Sequence, residues 1–375
     1  MSRTFYEFFA GGGMARLGLG DGWTCAFAND FDSSKAAAYR ENFTDAGAHF
    51  VEGDVWGLTT QDLPGRADLA WASSPCQDFS LAGGRAGLAG GRSSAFYGFW
   101  KLIEALVAEE RPPKVLVIEN VTGLLTSNGG ADFTALCQAL ALQGYCFGAL
   151  EIDAAPFLPQ SRPRVFVIAA HGEPRGQVGP NPFRTPAIAK AYDRLPPALQ
   201  TLWQDWAGSA PSIRNTRLSD ILDPDGEAVW NTPAKTDRLI ALMSPRHQAQ
   251  IDGLKASGDR AVGALFRRTR LVEGRRQQRA EIRFDGLAGC LRTPRGGSSR
   301  QTLVVVQADE VRSRLISPRE TARLMGLSET YKLPRSTTAA LHVTGDGVAI
   351  PVVHWLAGQV IEPLLSALAR QKGEA

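Results

Sequence analysis

Thr4-Phe5-Tyr6-Glu7-Phe8-Phe9-Ala10-Gly11-Gly12-Gly13 is an apolar run that stops in three glycines just before a helical pattern at residues 15–18. A strand, a glycine turn and a helix in that order let a ligand approach the backbone closely and expose helix N-terminal amides. The turn is not a phosphate loop, because the Gly-Lys-Ser/Thr ending is missing. Nor is it a clean dinucleotide fingerprint, since Arg16 occupies the place of the third glycine. Outward from this stretch, short apolar runs alternate with helical patterns to about residue 170. Strands are expected at 4–9, 24–28, 49–51, 68–73, 115–119, 148–152 and 165–170, and helices at 15–18, 34–42, 95–110 and 133–143. The alternation predicts an α/β fold, a doubly wound and mostly parallel sheet whose ligand crevice lies at the carboxyl ends of the strands.

Three of those strand ends carry groups suited to a nucleoside. Asp30 stands 19 residues beyond Gly11, a separation that places a carboxylate on ribose hydroxyls. Phe31 beside it offers a face for an adenine. Gly53-Asp54-Val55 closes the third strand with a second acceptor. Further along, Pro75-Cys76-Gln77 ends an apolar run, and Glu119-Asn120-Val121 follows 43 residues after the cysteine. A thiol and a carboxylate at successive strand ends form a nucleophile and proton donor suited to an electron-poor ring.

The 375 residues exceed the usual single-domain size, and 44% hydrophobic with 21% charged residues describes a chain with ample core. There is no basic leader and no uninterrupted run of about 18 apolar residues, so a cytoplasmic protein without a membrane partner is expected. Five cysteines without paired C-x-x-C spacing argue against both disulfides and a metal site. The net charge of +3 is unevenly spread. Between Arg260 and Arg300, eleven arginines face three carboxylates, a local +8 that leaves −5 elsewhere. Such an arginine excess fits phosphate and base contacts. After about residue 172 the pattern becomes irregular, and order resumes at Ser317-Pro318-Arg319-Glu320, a capping box with proline at the first helical position. The expected division is residues 1–172 plus 317–375 as one discontinuous domain, with 173–316 as a smaller, irregular second domain.

The ordered set Phe9-Ala10-Gly11-Gly12-Gly13, Pro75-Cys76-Gln77, Glu119-Asn120-Val121, Gln160-Ser161-Arg162-Pro163-Arg164, Ser317-Pro318-Arg319-Glu320 and Gly345-Asp346-Gly347-Val348 resembles the DNA (cytosine-5)-methyltransferase family from residue 4 to about 360. The resemblance implies a Rossmann-like catalytic domain that binds S-adenosyl-L-methionine and a target-recognition domain that grips duplex DNA. It implies attack by Cys76 on C6 of an extruded cytosine, Glu119 assisting at N3, Arg164 at the pyrimidine carbonyl, Arg162 on loop or phosphate, and Asn120 bracing the cysteine loop. Because the acid must donate, Glu119 would need a raised pKa in a partly dry pocket. The cofactor set implied is Phe9, Ala10, Gly11, Gly13, Asp30, Phe31, Asp54, Val55, Pro75, Asp346 and Val348. DNA contacts are implied at Gln77, Ser80, Arg85 and Arg92 of a glycine-rich closing loop, and at Arg292, Arg295, Gly296, Gly297 and Arg300 of the recognition region. The same resemblance suggests a monomer, nucleoid-associated through DNA, with a cognate restriction endonuclease acting on the same site as a partner. Departures from the family pattern are Met14, Ser74, Ala95 and Asp346; none removes an atom the chemistry requires. Competing readings are an RNA (tRNA) cytosine-5 methyltransferase and a catalytically silent DNA-binding protein of the same fold. A nicotinamide-dependent oxidoreductase is more distant, since Pro-Cys-Gln has no part in hydride transfer.

Overall fold

The computed structural model describes residues 2–74, 95–172, 178–272, 274–293 and 300–373. Pro75, Cys76, Gln77, Ser80, Arg85 and Arg92, with the glycine-rich loop that holds the last three, lie outside these residues, as do Arg295, Gly296 and Gly297. The chain divides into two compact units. One comprises Met1–Asp153, Pro163–Ser212 and Gly347–Ala375, the other Ala154–Arg162 and Ile213–Asp346. Pro163–Ser212 therefore extends the first unit past residue 172, and the helix Pro318–Arg323 clusters with the second.

The first unit is built on seven strands, β1 (Arg3–Phe8), β2 (Trp23–Asp30), β3 (Phe50–Glu52), β4 (Leu69–Ser73), β5 (Val115–Val121), β6 (Tyr145–Asp153) and β7 (Pro163–His171). Their order is β3-β2-β1-β4-β5-β7-β6. All seven coincide with the apolar runs read from sequence. Leu69-Ala70-Trp71-Ala72 and Val115–Ile118 are continuous rather than alternating because both faces of the sheet are buried. Helices α1 (Met14–Leu19), α2 (Ser33–Asn42), α3 (Ala95–Ala108) and α4 (Ala131–Leu142) connect the parallel strands.

Parallel pairing covers β3-β2-β1-β4-β5, but β7 runs antiparallel to both β5 and β6. The cause is local: no helix spans the short segment between β6 and β7, so the chain can only turn back. One face of the sheet packs Tyr6, Phe8, Ala70, Ile118 and Val167 against Phe99, Ile103 and Leu136 of α3 and α4. On α1, Gly18 lies where a Cβ would sit 2.4 Å from Val353 of the helix Ile350–Leu356, so the C-terminal helices pack back onto this unit. The apolar helical stretch Thr337–Arg370 is long enough to cross a membrane by length and composition, yet 61% of its most apolar window is buried inside the protein.

The second unit corrects one expectation. Its sequence looks irregular, yet it holds a regular antiparallel sheet, β8 (Ala261–Val272), β9 (Arg275–Arg283), β10 (Thr302–Gln307) and β11 (Glu310–Leu315), in the order β11-β10-β8-β9. Among the described residues, the apolar side chains of β8 and β9 that pack lie in their inner halves. Leu265, Ala280 and Ile282 join Val304, Val306, Met243 and Ile251 in a small core. The arginine-rich outer halves gave no strand signal because no core packs on them.

Gly148 shows how the β6 edge is closed. Phe147 N–H donates to Leu202 O at 3.1 Å and Gln204 N–H to Phe147 O at 2.7 Å, so the segment after residue 200 covers the edge strand. A Cβ at Gly148 would meet Gln204 O at 2.0 Å. Gly148→Ala should therefore lower stability by about 2 kcal/mol, whereas Gly47→Ala, with no atom within 4 Å of its Cβ position, should stay within about 0.5 kcal/mol. Urea unfolding of the two variants checks the contrast.

Candidate active site

The glycine turn is set by sterics. Gly13 adopts φ 78° and caps α1 where a Cβ would fall 2.2 Å from the Phe43 ring, so both the backbone angle and the space demand glycine. Gly11 has φ 57°, and Phe9, a non-glycine, has φ 59°. A left-handed aromatic residue costs on the order of 1–3 kcal/mol. The turn is pinned to the next strand: Ala10 N–H donates to Asn29 O at 2.8 Å, and Gly11 N–H to Asp30 Oδ2 at 2.8 Å. Asp30 Oδ1 accepts from Asp32 N–H at 2.9 Å. The carboxylate is 5% exposed, and burial pushes its pKa upward against the pull of Lys35 and those two amides. Beside it Phe31 is 69% exposed, an open aromatic face where a core phenylalanine would be buried.

The third strand end is tied to the same place. Asn29 Nδ2 donates to Val51 O at 2.9 Å and Gly53 O at 3.0 Å. Asp54 is exposed and accepts from Trp56 N–H at 3.0 Å, while Val55 is buried. Phe9, Ala10, Gly11, Gly13, Asp30, Phe31, Asp54 and Val55 thus gather at the carboxyl ends of three neighbouring strands. Val348 is buried in this unit. Asp346 belongs to the second unit, where it accepts from Thr293 Oγ1 at 2.8 Å.

At the far side of the same edge, β5 delivers Glu119 and Asn120, both buried. Because β7 is antiparallel, its first residues lie at the carboxyl edge of β5, with Arg164 opposite Val121. Side chains two apart share a face, so Arg164 Nε reaches Glu119 Oε1 at 3.1 Å. Asn120 Nδ2 donates to Ser74 O at 3.2 Å, which ties the end of β4, two residues before Cys76, to this pair. Arg162 lies in the second unit, 2% exposed, and donates to Leu291 O at 3.1 Å and Gly345 O at 2.9 Å. Gln160, fully buried, donates to Leu324 O at 2.7 Å and accepts from Leu291 N–H at 3.1 Å. Both hold the backbone at Leu291, at the start of the recognition segment. In that segment Arg292 is exposed, while Arg300 is half-buried and donates from Nε to Ile316 O at 2.5 Å.

Glu7 is a buried charge that the sequence reading does not single out. It sits in β1 with 1% exposure, on the sheet face opposite Tyr6 and Phe8, and Oε2 has no hydrogen-bond partner. Its neighbours are the amides of Ala15 and Arg16, the Arg16 charge and the Asp30 carboxylate. The signal was present in sequence as the one charge within Phe5-Tyr6-Glu7-Phe8-Phe9. Cys25 is a buried thiol pushed up to about 12 by burial and by Glu7. Among the described residues, no group of three His, Cys, Asp or Glu side chains is placed to hold a metal ion.

The profile of the C-5 cytosine-specific DNA methylase family matches residues 3–362. The chain is 27% identical over 366 residues to the Type II methyltransferase M.BsuFI of Bacillus subtilis, covering 97% of this chain and 74% of that protein. It is 25% identical over 355 residues to the Type II methyltransferase M.HhaI of Haemophilus parahaemolyticus, covering 94% and 92%. Among solved structures, an S. pombe Dnmt2 methyltransferase superposes with TM-score 0.61 at 17% identity, covering 96% of this chain and 99% of that one. A putative DNA modification methyltransferase encoded in an E. coli prophage gives TM-score 0.53 at 17% identity, covering 98% and 100%.

Burial raises the Glu7 carboxyl from its ordinary 4.5 to about 8. Between those values the folded chain keeps a proton that the unfolded chain has released. The contribution of Glu7 is therefore fullest below the unfolded pKa and is lost as pH rises toward 8. Glu7→Gln should gain on the native protein from pH 5 to pH 8, by up to a few kcal/mol, at about 1.4 kcal/mol for each step of one in pH. Unfolding free energies at pH 5, 6.5 and 8 test this; a difference that stays flat with pH refutes a raised Glu7.

Proposed function

The chain belongs to the C-5 cytosine-specific DNA methylase family, and from that membership we propose how its own residues carry out methylation of cytosine C5 in duplex DNA. The observation that carries the proposal is the Glu119–Arg164 pair at the carboxyl edge, tied through Asn120 to the residue before Pro75-Cys76-Gln77.

S-adenosyl-L-methionine, when bound, supplies an electrophilic methyl on sulfur. The residues fit its adenosine. Exposed Phe31 offers a stacking face, Asp30 retains acceptor capacity beyond its two amides, and Asp54 is open to an exocyclic amine. The strained turn at Phe9 and Gly11 brings backbone close to the ligand, with Val55 behind it. Pro75 and Val348 complete the set, and Asp346 is proposed toward the methionine end.

Cytosine C5 is a poor nucleophile until a thiolate adds to C6. In our reading Cys76 forms that bond, the C5–C6 pair shifts to C5, and charge builds toward N3. Glu119 holds a proton or hydrogen bond there, and Arg164 orients the carboxylate while it faces the pyrimidine carbonyl. After C5 takes the methyl, loss of the C5 proton and expulsion of Cys76 restore the ring. Arg162 acts at one remove, by fixing the segment at Leu291. DNA is held by Gln77, Ser80, Arg85 and Arg92 after the cysteine, and by Arg292, Arg295, Gly296, Gly297 and Arg300 in the target-recognition domain. That grip offsets the few kcal/mol needed to extrude the base. Residues 1–172 with 317–375 are proposed as the catalytic domain and 173–316 as the recognition domain. We further propose a monomer acting in the cytoplasm on nucleoid DNA, paired with an endonuclease of the same specificity.

Labelled S-adenosylmethionine offered with duplex DNA and with transfer RNA, followed by methylation-sensitive sequencing, tests the reading. Label should enter DNA at one short motif. Cys76→Ala should lower the rate by about 10³-fold or more, of the order seen when a covalent nucleophile is removed, and Glu119→Gln by about 10²–10⁴, with cofactor binding retained. Label in RNA alone refutes the proposal.

A further inference from the structure

The outer half of the β8–β9 hairpin has no core. Inward of Arg267, Leu265 and Ile282 pair across the strands and are buried, as is Ala280. Outward, residues 267–271 and 275–278 are exposed and Arg279 is half-buried. At about 3.3 Å per residue the outer strands extend about 20 Å.

Opposed residues of an antiparallel pair share a face. One face therefore carries Arg268 opposite Arg279, Arg270 opposite Gln277, and Arg275 near the turn. Glu281 is the carboxylate found with them, 3.4 Å from Arg268 and 2.5 Å from Arg270. Among the described residues, Arg275 and Arg279 have no ion-pair partner. The face thus retains an excess of positive charge. Like charges directly opposite one another destabilise a hairpin, and the Arg268–Arg279 pairing is offset only in part by Glu281 and by the Phe266 ring under Arg268. A polyanion would remove that repulsion.

We propose that this outer hairpin is a two-stranded ribbon that enters the major groove of duplex DNA, with Arg268, Arg270, Arg275 and Arg279 on phosphates and Gln277 toward base edges. The inference rests on the DNA-methylation reading above and names the element that binds. The major groove of B-form DNA, about 12 Å wide, admits a two-stranded β-ribbon. Glutamine can pair bidentately with adenine there. The A-form duplex of RNA has a deep, narrow major groove that side chains cannot read, so the ribbon favours DNA on shape as well as charge.

The test uses the intact protein with labelled S-adenosylmethionine and unmethylated duplex DNA, across about 50 to 200 mM salt. R268Q/R279Q should raise KM for DNA about tenfold and reduce the slope of log affinity against log salt by about 1.8, near 0.9 for each phosphate no longer neutralised. Its kcat and its affinity for S-adenosylmethionine should stay within about twofold of the native values. R268K/R279K should restore the slope, which a folding defect would not allow. Q277A should keep the native slope while altering the ranking of methylated sites. Native KM and slope in R268Q/R279Q, with robust DNA methylation, overturn the ribbon while leaving the function intact. Absence of DNA methylation by the native protein, with transfer RNA labelled instead, overturns both.

Discussion

The hydrogen-bonded ion pair between Glu119 and Arg164 depends on a single reversal of chain direction. Were β7 parallel to β5, its first residues would lie at the amino edge of the sheet, a strand length from Glu119. The short connection after β6 forces β7 to run back and insert beside β5, which carries Arg164 to the carboxyl edge. Among the described residues, Glu119 and Arg164 then lie together along one rim. Asn120 extends the same rim to β4 by holding Ser74, so the backbone that leads into Cys76 starts from a fixed point. The buried pair also sets a chemical limit. A carboxyl facing a guanidinium is well placed to orient and to hold a hydrogen bond, and Glu119 is buried.

On the other half of the rim, position comes from backbone rather than ion pairing. Asp30 uses one acceptor site of each oxygen on the Gly11 and Asp32 amides. It therefore shapes the glycine turn before it meets any ligand. The non-glycine φ at Phe9 is the counterpart: the strand must end abruptly for the turn to fold over the sheet edge. Beneath lies Glu7, buried against Arg16 and close enough to Cys25 to raise its thiol. Apolar packing and hydrogen bonds to the amides of α1 hold this carboxyl in place.

Most of the first unit was legible because its strands are buried on both faces and so read as unbroken apolar runs. The capping box at Ser317 was legible for a different reason, since Ser317 and Glu320 satisfy local amides whatever the tertiary context. What sequence did not reveal follows from long-range pairing. The placing of β7 between β5 and β6 leaves no local mark, and neither does the burial of Arg162, whose partners lie at residues 291 and 345. The second unit was misread as irregular because strand signals depend on half-burial. The outer parts of β8 and β9 have none, while Val304 and Val306 of β10 do. Glu7 was visible as a charge in an apolar strand, but only the structure shows that Oε2 lacks a partner.

The distribution of charge supplies the last step. A chain of net +3 has little general attraction for a polyanion, and outside residues 260–300 it carries −5. Glu281 pairs with Arg268 and Arg270 and leaves Arg275 and Arg279 without an ion-pair partner among the described residues, and screening beyond about 8 Å at physiological ionic strength keeps their pull on an anion local. In our reading the attraction to DNA is concentrated in residues 260–300. That arrangement suits a protein that must locate a site in a long polyanion: the ribbon can hold phosphates at any sequence. In the mechanism proposed above, chemistry begins only when the base reaches Glu119 and Arg164. Affinity and chemistry draw on different residues, and substitutions in one can leave the other unchanged.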